Sequence, residues 1–480
     1  MLIRHSLIYV AARVLAAVLG VATTAILTHL LAPTVYGVYG LALVVMSFGS
    51  DAAFSWLGIS FMRFYQSRPG DPRLTGTFLL LFYALVGLTA VLAALAWAFG
   101  IFAGSAAAVY AIGIALMWSY SWFEFVARFE IASFHPTRYL LMNVGRALTG
   151  LIATVGAAWF TRDPVWTVAG TALGMLVGSF LRGFGRLGVS FSGFDRKLAL
   201  AVLAFGAPMA ASMVLGSLIN SGTRWLIQEL DSAQALGFYT AAFMLVQNTL
   251  ALIGSGIASA GYSLAVRAVE EGKSEITRKQ LLANSTLLLA VLAPATLGLV
   301  LTSHGLARTL IGAQYVASVA SITPWMAVGT GLFAFRANYL DHAFQLGRRP
   351  GLQVWVSALT AIVAVGLSFW LIPKYGPLGA AVAVAVAMVI SCAHAWILGH
   401  YAYTLPFPVA QSARIGAACT AMGIVVVLIP GSGPVSFPLQ VALGASVYVG
   451  TALALDVMNV RDRTLAFIAE LLRRRLPGRT

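Results

Sequence analysis

The chain has 480 residues, of which 60% are hydrophobic and only 9% charged, and its mean hydropathy is +0.89. Soluble domains carry about 25% charged residues, so composition excludes that class and makes hydrocarbon the natural solvent. The formal charge of +15 sits in short loops with no aromatic-interleaved basic domain, which argues against nucleic-acid binding and for a membrane topology signal.

Apolar stretches bounded by Gly, Pro and charges predict spans at about 7–31, 37–60, 78–100, 106–127, 139–160, 164–183, 202–225, 236–262, 281–302, 318–342, 352–372, 376–399, 411–429 and 436–457. Arg4 and His5 precede the first run like a signal peptide, but the run is too long and Arg13 interrupts it, so it reads as a retained span. The longest connections, around 184–201 and 263–280, are too short for an extramembrane domain. Cys392 and Cys419 lie in apolar stretches and suggest neither a disulfide framework nor a zinc site. Residues 461–480, with Leu465, Phe467, Ile468 and Leu472 before Arg473-Arg474-Arg475, predict a basic amphipathic tail on the inner leaflet. No phosphate-binding Gly-rich loop, metal cluster or nucleophile constellation is evident, so no cofactor and no enzyme activity are expected.

Fourteen spans place both termini on one side. With the N-terminus cytoplasmic, the inner segments hold twenty-three Lys and Arg, and the outer loops only Arg162, Arg308 and Lys374. This bias supports both count and orientation, because dropping one span swaps the side of every later loop.

Gly37-Val38-Tyr39 matches Gly237-Phe238-Tyr239 at an offset of 200, and Ala147-Leu148-Thr149 matches Ala358-Leu359-Thr360 at 211. The order and near-constant offset predict a six-plus-six duplication. An even repeat gives two lobes of equal orientation with a substrate site between them. The expected fold is therefore an all-α integral membrane protein of fourteen helices. It has an N-lobe at 1–200, a C-lobe at 201–405, a terminal helix pair at 406–460 and the basic tail at 461–480.

Three stretches carry a family resemblance. They are Tyr36-Gly37-Val38-Tyr39-Gly40-Leu41-Ala42, Leu236-Gly237-Phe238-Tyr239-Thr240-Ala241-Ala242, and Leu371-Ile372-Pro373-Lys374-Tyr375-Gly376-Pro377-Leu378-Gly379-Ala380-Ala381. With them the chain resembles, over residues 1 to about 460, the polysaccharide transporter family of Wzx-type oligosaccharide flippases. That family belongs to the superfamily that also holds the MATE drug exporters and the lipid II flippases. The resemblance implies alternating access, undecaprenyl-pyrophosphate-linked oligosaccharide as cargo, and the bacterial inner membrane as location. A polysaccharide polymerase and a chain-length regulator are the implied protein partners.

Charges inside spans are costly and point to function. Arg13, Arg146 and Arg336 each lie roughly 9–10 Å from the cytoplasmic edge of their spans, and Arg224 lies near the outer end of the seventh. Guanidinium forks suit phosphate and dehydrate more readily than lysine. The four are expected to bind pyrophosphate; the competing reading is that their long stems snorkel to the interface. Small and polar faces with Gly20 and Thr24 in the first span, and Ser212, Asn220 and Thr223 in the seventh, suit either a hydrated cavity or a packing seam. Asp51, within vertical reach of Arg13, is a candidate for structural pairing or for H+ or Na+ coupling. Glu124, Arg128, Glu130 and Asp341 near cytoplasmic ends suit an inner gate or solvated loops.

Three other functions compete. A lipid II flippase shares the pyrophosphate chemistry. A MATE-like drug exporter would favour an acidic or aromatic cavity over arginines. A membrane glycosyltransferase or polymerase would require a substantial outer loop, and none is expected here.

Overall fold

A computed structural model describes residues 2–102, 107–181, 193–250, 274–429 and 436–459; the basic tail and the far part of the predicted eighth span fall outside them. Every element among the described residues is helical. In chain order they are α1 (Leu2–Leu30), α2 (Pro33–Ala53), α3 (Ser55–Ser67), α4 (Pro72–Ala98), α5 (Ala107–Ala132), α6 (Pro136–Thr161), α7 (Pro164–Phe180), α8 (Arg196–Ser217) and α9 (Thr223–Leu230). Then come α10 (233–250), α11 (Ser274–Leu301), α12 (Ser303–Leu310), α13 (Val316–Phe335), α14 (His342–Leu346), α15 (Pro350–Ala402), α16 (Val409–Leu428) and α17 (Ser436–Ala454).

The starts reflect local chemistry. Proline opens α2, α4, α6, α7 and α15, where its missing N–H costs nothing and its φ is already helical. Asp71 and Asp163 cap α4 and α7 by accepting from Arg73 N at 2.9 Å and Val165 N at 2.7 Å.

Eleven helices among the described residues are long and apolar enough to cross a membrane, which makes this a multi-pass membrane protein. The fourteen-span reading differs from that tally at three places. Helix α7 has only 17 residues, the predicted span 236–262 runs beyond the described residues, and α15 counts once. As one straight helix its 53 residues would run about 80 Å, more than twice the hydrocarbon core. Gly376, at φ 56° and ψ −139°, breaks it. A Cβ on Gly379 would collide with the carbonyl oxygen of Leu371, so the two arms turn tightly where the sequence predicts a turn. A side chain at Gly376 would be strained and would meet Asp231 Oδ2 at 2.8 Å. Gly376→Ala should therefore destabilise the protein by about 1–2 kcal/mol, read as a lower unfolding midpoint in detergent.

The chain forms two compact units. One comprises Met1–Asn248, Ile311–Ile322 and Ser357–Ala387; the other comprises Thr249–Leu310, Thr323–Val356 and Met388–Thr480. The units group residues by proximity and the expected lobes by repeat, so the first unit takes in three segments of the expected C-lobe, 201–248, 311–322 and 357–387.

In the first unit Phe61 of α3 is fully buried. It meets Phe78 of α4 edge-on at 5.2 Å and Phe129 of α5 at 5.4 Å. Asp195 caps α8 through Lys197 N and Leu198 N at 2.9 and 3.1 Å, and its own N–H donates to Thr77 Oγ1 on α4 at 2.9 Å. The Leu198 and Lys197 amides, with Arg68 at 3.6 Å, hold its carboxyl below the usual carboxylate range. A lowered folded-state pKa contributes stability above the unfolded value and loses it as pH falls through the folded one. Asp195→Ala should thus lower the melting temperature at neutral pH, with the gap to wild type closing once the medium is acid enough to protonate the cap.

In the second unit Leu281, Leu292, Tyr339, Phe344 and Val356 form a core. Tyr339 donates to the carbonyl of Pro406, and Tyr448 of α17 donates to the carbonyl of Ala290 on α11 at 2.6 Å.

Candidate functional site

In the first unit, the helix of the predicted seventh span is interrupted. Between α8 and α9, Leu218–Gly222 form a π turn, a geometry found disproportionately at functional positions. Thr223 closes it by donating to the carbonyl of Ile219 at 2.7 Å. The extra residue rotates α9 relative to α8 and aims Arg224 at α2. Arg224 is 3% exposed. Its Nη2 donates to Ser47 Oγ at 3.2 Å and Ser221 Oγ at 3.4 Å, its Nε donates to the carbonyl of Asn220 at 3.2 Å, and its guanidinium lies 4.5 Å from the Phe243 ring centre. The two serine oxygens are 2.8 Å apart. No carboxylate among the described residues pairs with this cation. A buried guanidinium held only by neutral oxygens keeps its charge available to an anion.

One turn along α2 from Ser47 lies Asp51. It accepts from Ser55 Oγ at 3.1 Å and has Ser217 beside it. Ser217 is one turn before Ser221, so α2 and α8 share a polar seam. Helix α2 ends near Asp51, at Phe54. Just beyond, Arg128 of α5 crosses Gly58, where a Cβ would stand 2.6 Å from its Cδ. Arg128 donates to the carbonyl of Ser55 at 2.9 Å and pairs with Glu124 at 3.9 Å. The sequence suggests Arg13 as the cation for Asp51, whereas the structure sets Arg128 near it and turns Arg13 to the Tyr139 hydroxyl at 3.5 Å.

Arg146 stands 5.0 Å from the Phe123 ring centre with Nη1 3.8 Å from Met175 Sδ, and its buried Nε finds no hydrogen-bond partner among the described residues. Tyr120 lies in the combined field of Glu124, Asp51, Arg146 and Arg128. The structure therefore brings Asp51, Glu124, Arg128 and Arg146 into one polar neighbourhood. Sequence reasoning does not single out Tyr120, Ser47 and Ser221. The four-residue spacing of Ser47, Asp51 and Ser55, matched by Ser217 and Ser221, is the signal that could have found the serines.

The expected lining residues divide. Thr24 and Thr223 are buried in packing, a Cβ on Gly20 would meet the Asn248 side chain at 3.0 Å, and Ser212 and Asn220 remain partly exposed. Glu130 is buried and pairs with His135 at 3.5 Å.

In the second unit Arg336 opens another π turn, Arg336–Leu340. It is 5% exposed and Asp341 is 3% exposed. Arg336 donates to Ser391 Oγ at 2.6 Å and lies 3.8 Å from Asp341 Oδ2, which also accepts from Gln353 at 3.3 Å. Unlike Arg224, this cation has a carboxylate beside it. No group of residues able to hold a metal occurs among the described residues.

Comparison with known proteins places these features in a family. No curated protein matches the sequence. Among solved structures, the lipid II flippase MurJ in an inward closed conformation superposes with a TM-score of 0.71 at 14% identity, covering 95% of this chain and all of that one. An inward-facing MATE multidrug resistance transporter gives 0.54 at 15% identity over 82% of this chain and 94% of its own. A transporter of the same superfamily from Pyrococcus furiosus, described as having a binding pocket of reversed polarity, gives 0.54 at 15% over 83% and 94%. At these identities the likeness is one of fold. The family model described as polysaccharide biosynthesis protein matches residues 26–320, more than half of the chain, and the chain belongs to that family.

Proposed function

We propose that this protein flips undecaprenyl-pyrophosphate-linked oligosaccharide repeat units from the inner to the outer leaflet of the bacterial cytoplasmic membrane. It does so by alternating access of two six-helix lobes, with both termini cytoplasmic. The observation that carries the reading is Arg224, buried and held by Ser47, Ser221 and the Asn220 carbonyl, with no carboxylate paired to it among the described residues. In a polysaccharide biosynthesis family, the anion such a cation awaits is the pyrophosphate of the lipid carrier. Arg146, whose Nε has no hydrogen-bond partner among the described residues, has the same character. Arg13 and Arg336 complete the arginine set, and Asp51 in its serine seam is the group that would take up a coupling proton or sodium ion. A polymerase and a chain-length regulator would use the product on the far side.

Lipid II is a second cargo with the same pyrophosphate, favoured by the whole-length likeness to the lipid II flippase fold. The test is reconstitution in vesicles loaded separately with each lipid, translocation being read by an impermeant lectin or enzyme outside. Movement of the lipid-linked oligosaccharide alone is expected. Movement of lipid II alone would reassign the cargo, and movement of neither would reject the flippase reading.

A further inference from the structure

In the second unit a cavity of about 690 Å³ opens where the start of α11, the connection 403–408 and the first turn of α16 come together. Sites for small ligands span about 300–1,000 Å³. The basic-residue topology puts these helix ends at the cytoplasmic edge of the membrane. The wall is built rather than loose. Pro406 and Pro408 restrict the backbone of the connection. Leu405 packs into the core with Tyr339, whose hydroxyl donates to the carbonyl of Pro406. On the far side Gln411 Oε1 accepts from Met458 N at 3.1 Å, and Arg414 Nη1 donates to the carbonyl of Asp456 at 3.0 Å, which fixes the first turns of α16.

The lining attracts an anion. Arg278 of α11 is the single formal charge among the lining residues, and no carboxylate is among them. Glu275, one turn earlier, pairs with Lys279 at 3.6 Å instead. Helix α16 begins at Val409 after Pro408, which supplies no side-chain cap. Its first-turn amides therefore bring the partial positive charge of a helix start, about half an elementary charge. Ser274 and Thr404 add hydroxyls at the exposed rim. Leu281 and Leu282 make an apolar floor, and Phe407 and Val409, 39% and 70% exposed, carry it out to the surface. Both α11 and α16 are long and apolar enough to span a membrane, so this apolar rim faces lipid. About one and a half positive charges suit the single negative charge of a phosphodiester better than the higher charge of a pyrophosphate. A soluble phosphate would use the donors and leave the apolar rim uncovered.

We propose that this cavity binds the phosphodiester headgroup of an anionic phospholipid of the inner leaflet. Arg278 and the start of α16 hold the phosphate, and Phe407 and Val409 lie against the first carbons of the acyl chains. The site is separate from the arginines assigned to cargo and does not depend on what the protein carries. Its test is titration of the full chain in nonionic detergent with dioleoyl phosphatidylglycerol, dioleoyl phosphatidylcholine or inorganic phosphate, read as the rise in unfolding midpoint and as lipid retained in native mass spectrometry. Phosphatidylglycerol should raise the midpoint saturably, and phosphatidylcholine should barely move it. Arg278→Gln should weaken phosphatidylglycerol about tenfold or more while leaving the midpoint in detergent alone unchanged. Lys279→Gln removes the same charge one residue on, outside the lining, and should bind like wild type. Thr404→Glu sets a carboxylate against the phosphate and should weaken binding independently of the arginine variant. Undiminished binding in both Arg278→Gln and Thr404→Glu, an equal loss in Lys279→Gln, or equal stabilisation by the two lipids would overturn the site. Displacement of phosphatidylglycerol by inorganic phosphate at equal concentration would overturn the lipid as its occupant.

Discussion

Arg224→Met is expected to abolish translocation while leaving the protein at least as stable as wild type. The two consequences come from different terms. Burying a guanidinium costs several kcal/mol, and replacing buried charge by an apolar side chain of similar volume is often neutral or stabilising. Among the described residues Arg224 has no carboxylate to orphan, because its partners there are Ser47, Ser221 and the Asn220 carbonyl. Removing it leaves only neutral groups, and Ser47 and Ser221 retain each other at 2.8 Å. Transport should respond in the opposite direction. A charge-assisted hydrogen bond is worth about 1.5–3 kcal/mol, so loss of even one to phosphate lowers flux roughly tenfold to a hundredfold. Arg224→Lys keeps the charge but loses the fork and should fall between. Flux assays beside unfolding curves in detergent separate the outcomes. Unchanged flux in the methionine variant would remove Arg224 from the site, and a large stability loss would assign it a structural role.

The second large effect concerns Arg336 and Asp341. Asp341→Leu should destabilise the protein by about 3–5 kcal/mol, because it leaves a buried cation without its carboxylate. The double variant Arg336→Met/Asp341→Leu should recover most of that loss. A four-member cycle of denaturation measurements gives the coupling directly, and additive effects would show that the 3.8 Å approach carries no energy. The double variant also decides what the arginine is for. If Arg336 binds cargo, the double variant is stable and inactive. If its role is to pair with Asp341, the double variant transports.

The contrast between these two arginines is not legible in the sequence, where both are cations in apolar spans. Hydropathy, caps and breakers are local properties, so they can be read along the chain. Pro33, Pro72, Pro136, Pro164 and Pro350 open their helices, as proline's fixed φ favours, and the Pro373–Gly379 stretch turns as its composition predicts. Which way a side chain faces depends on the accumulated rotation of its helix. A single π turn before Arg224, and another starting at Arg336, alter that rotation without leaving a mark in hydropathy. The same limit explains why sequence reasoning pairs Asp51 with Arg13. Depth along a helix is countable at about 1.5 Å per residue, but the neighbour across the gap is not, and Arg128 reaches Asp51's vicinity only because Gly58 leaves it room.

By itself, the sequence determined that this is a multi-pass helical membrane protein of the polysaccharide biosynthesis family, because solvent preference, helix punctuation and family motifs are written residue by residue. Tertiary structure alone decided which cations are paired and which threonines are packed away. Those outcomes depend on the approach of helices distant in sequence, which no local pattern encodes.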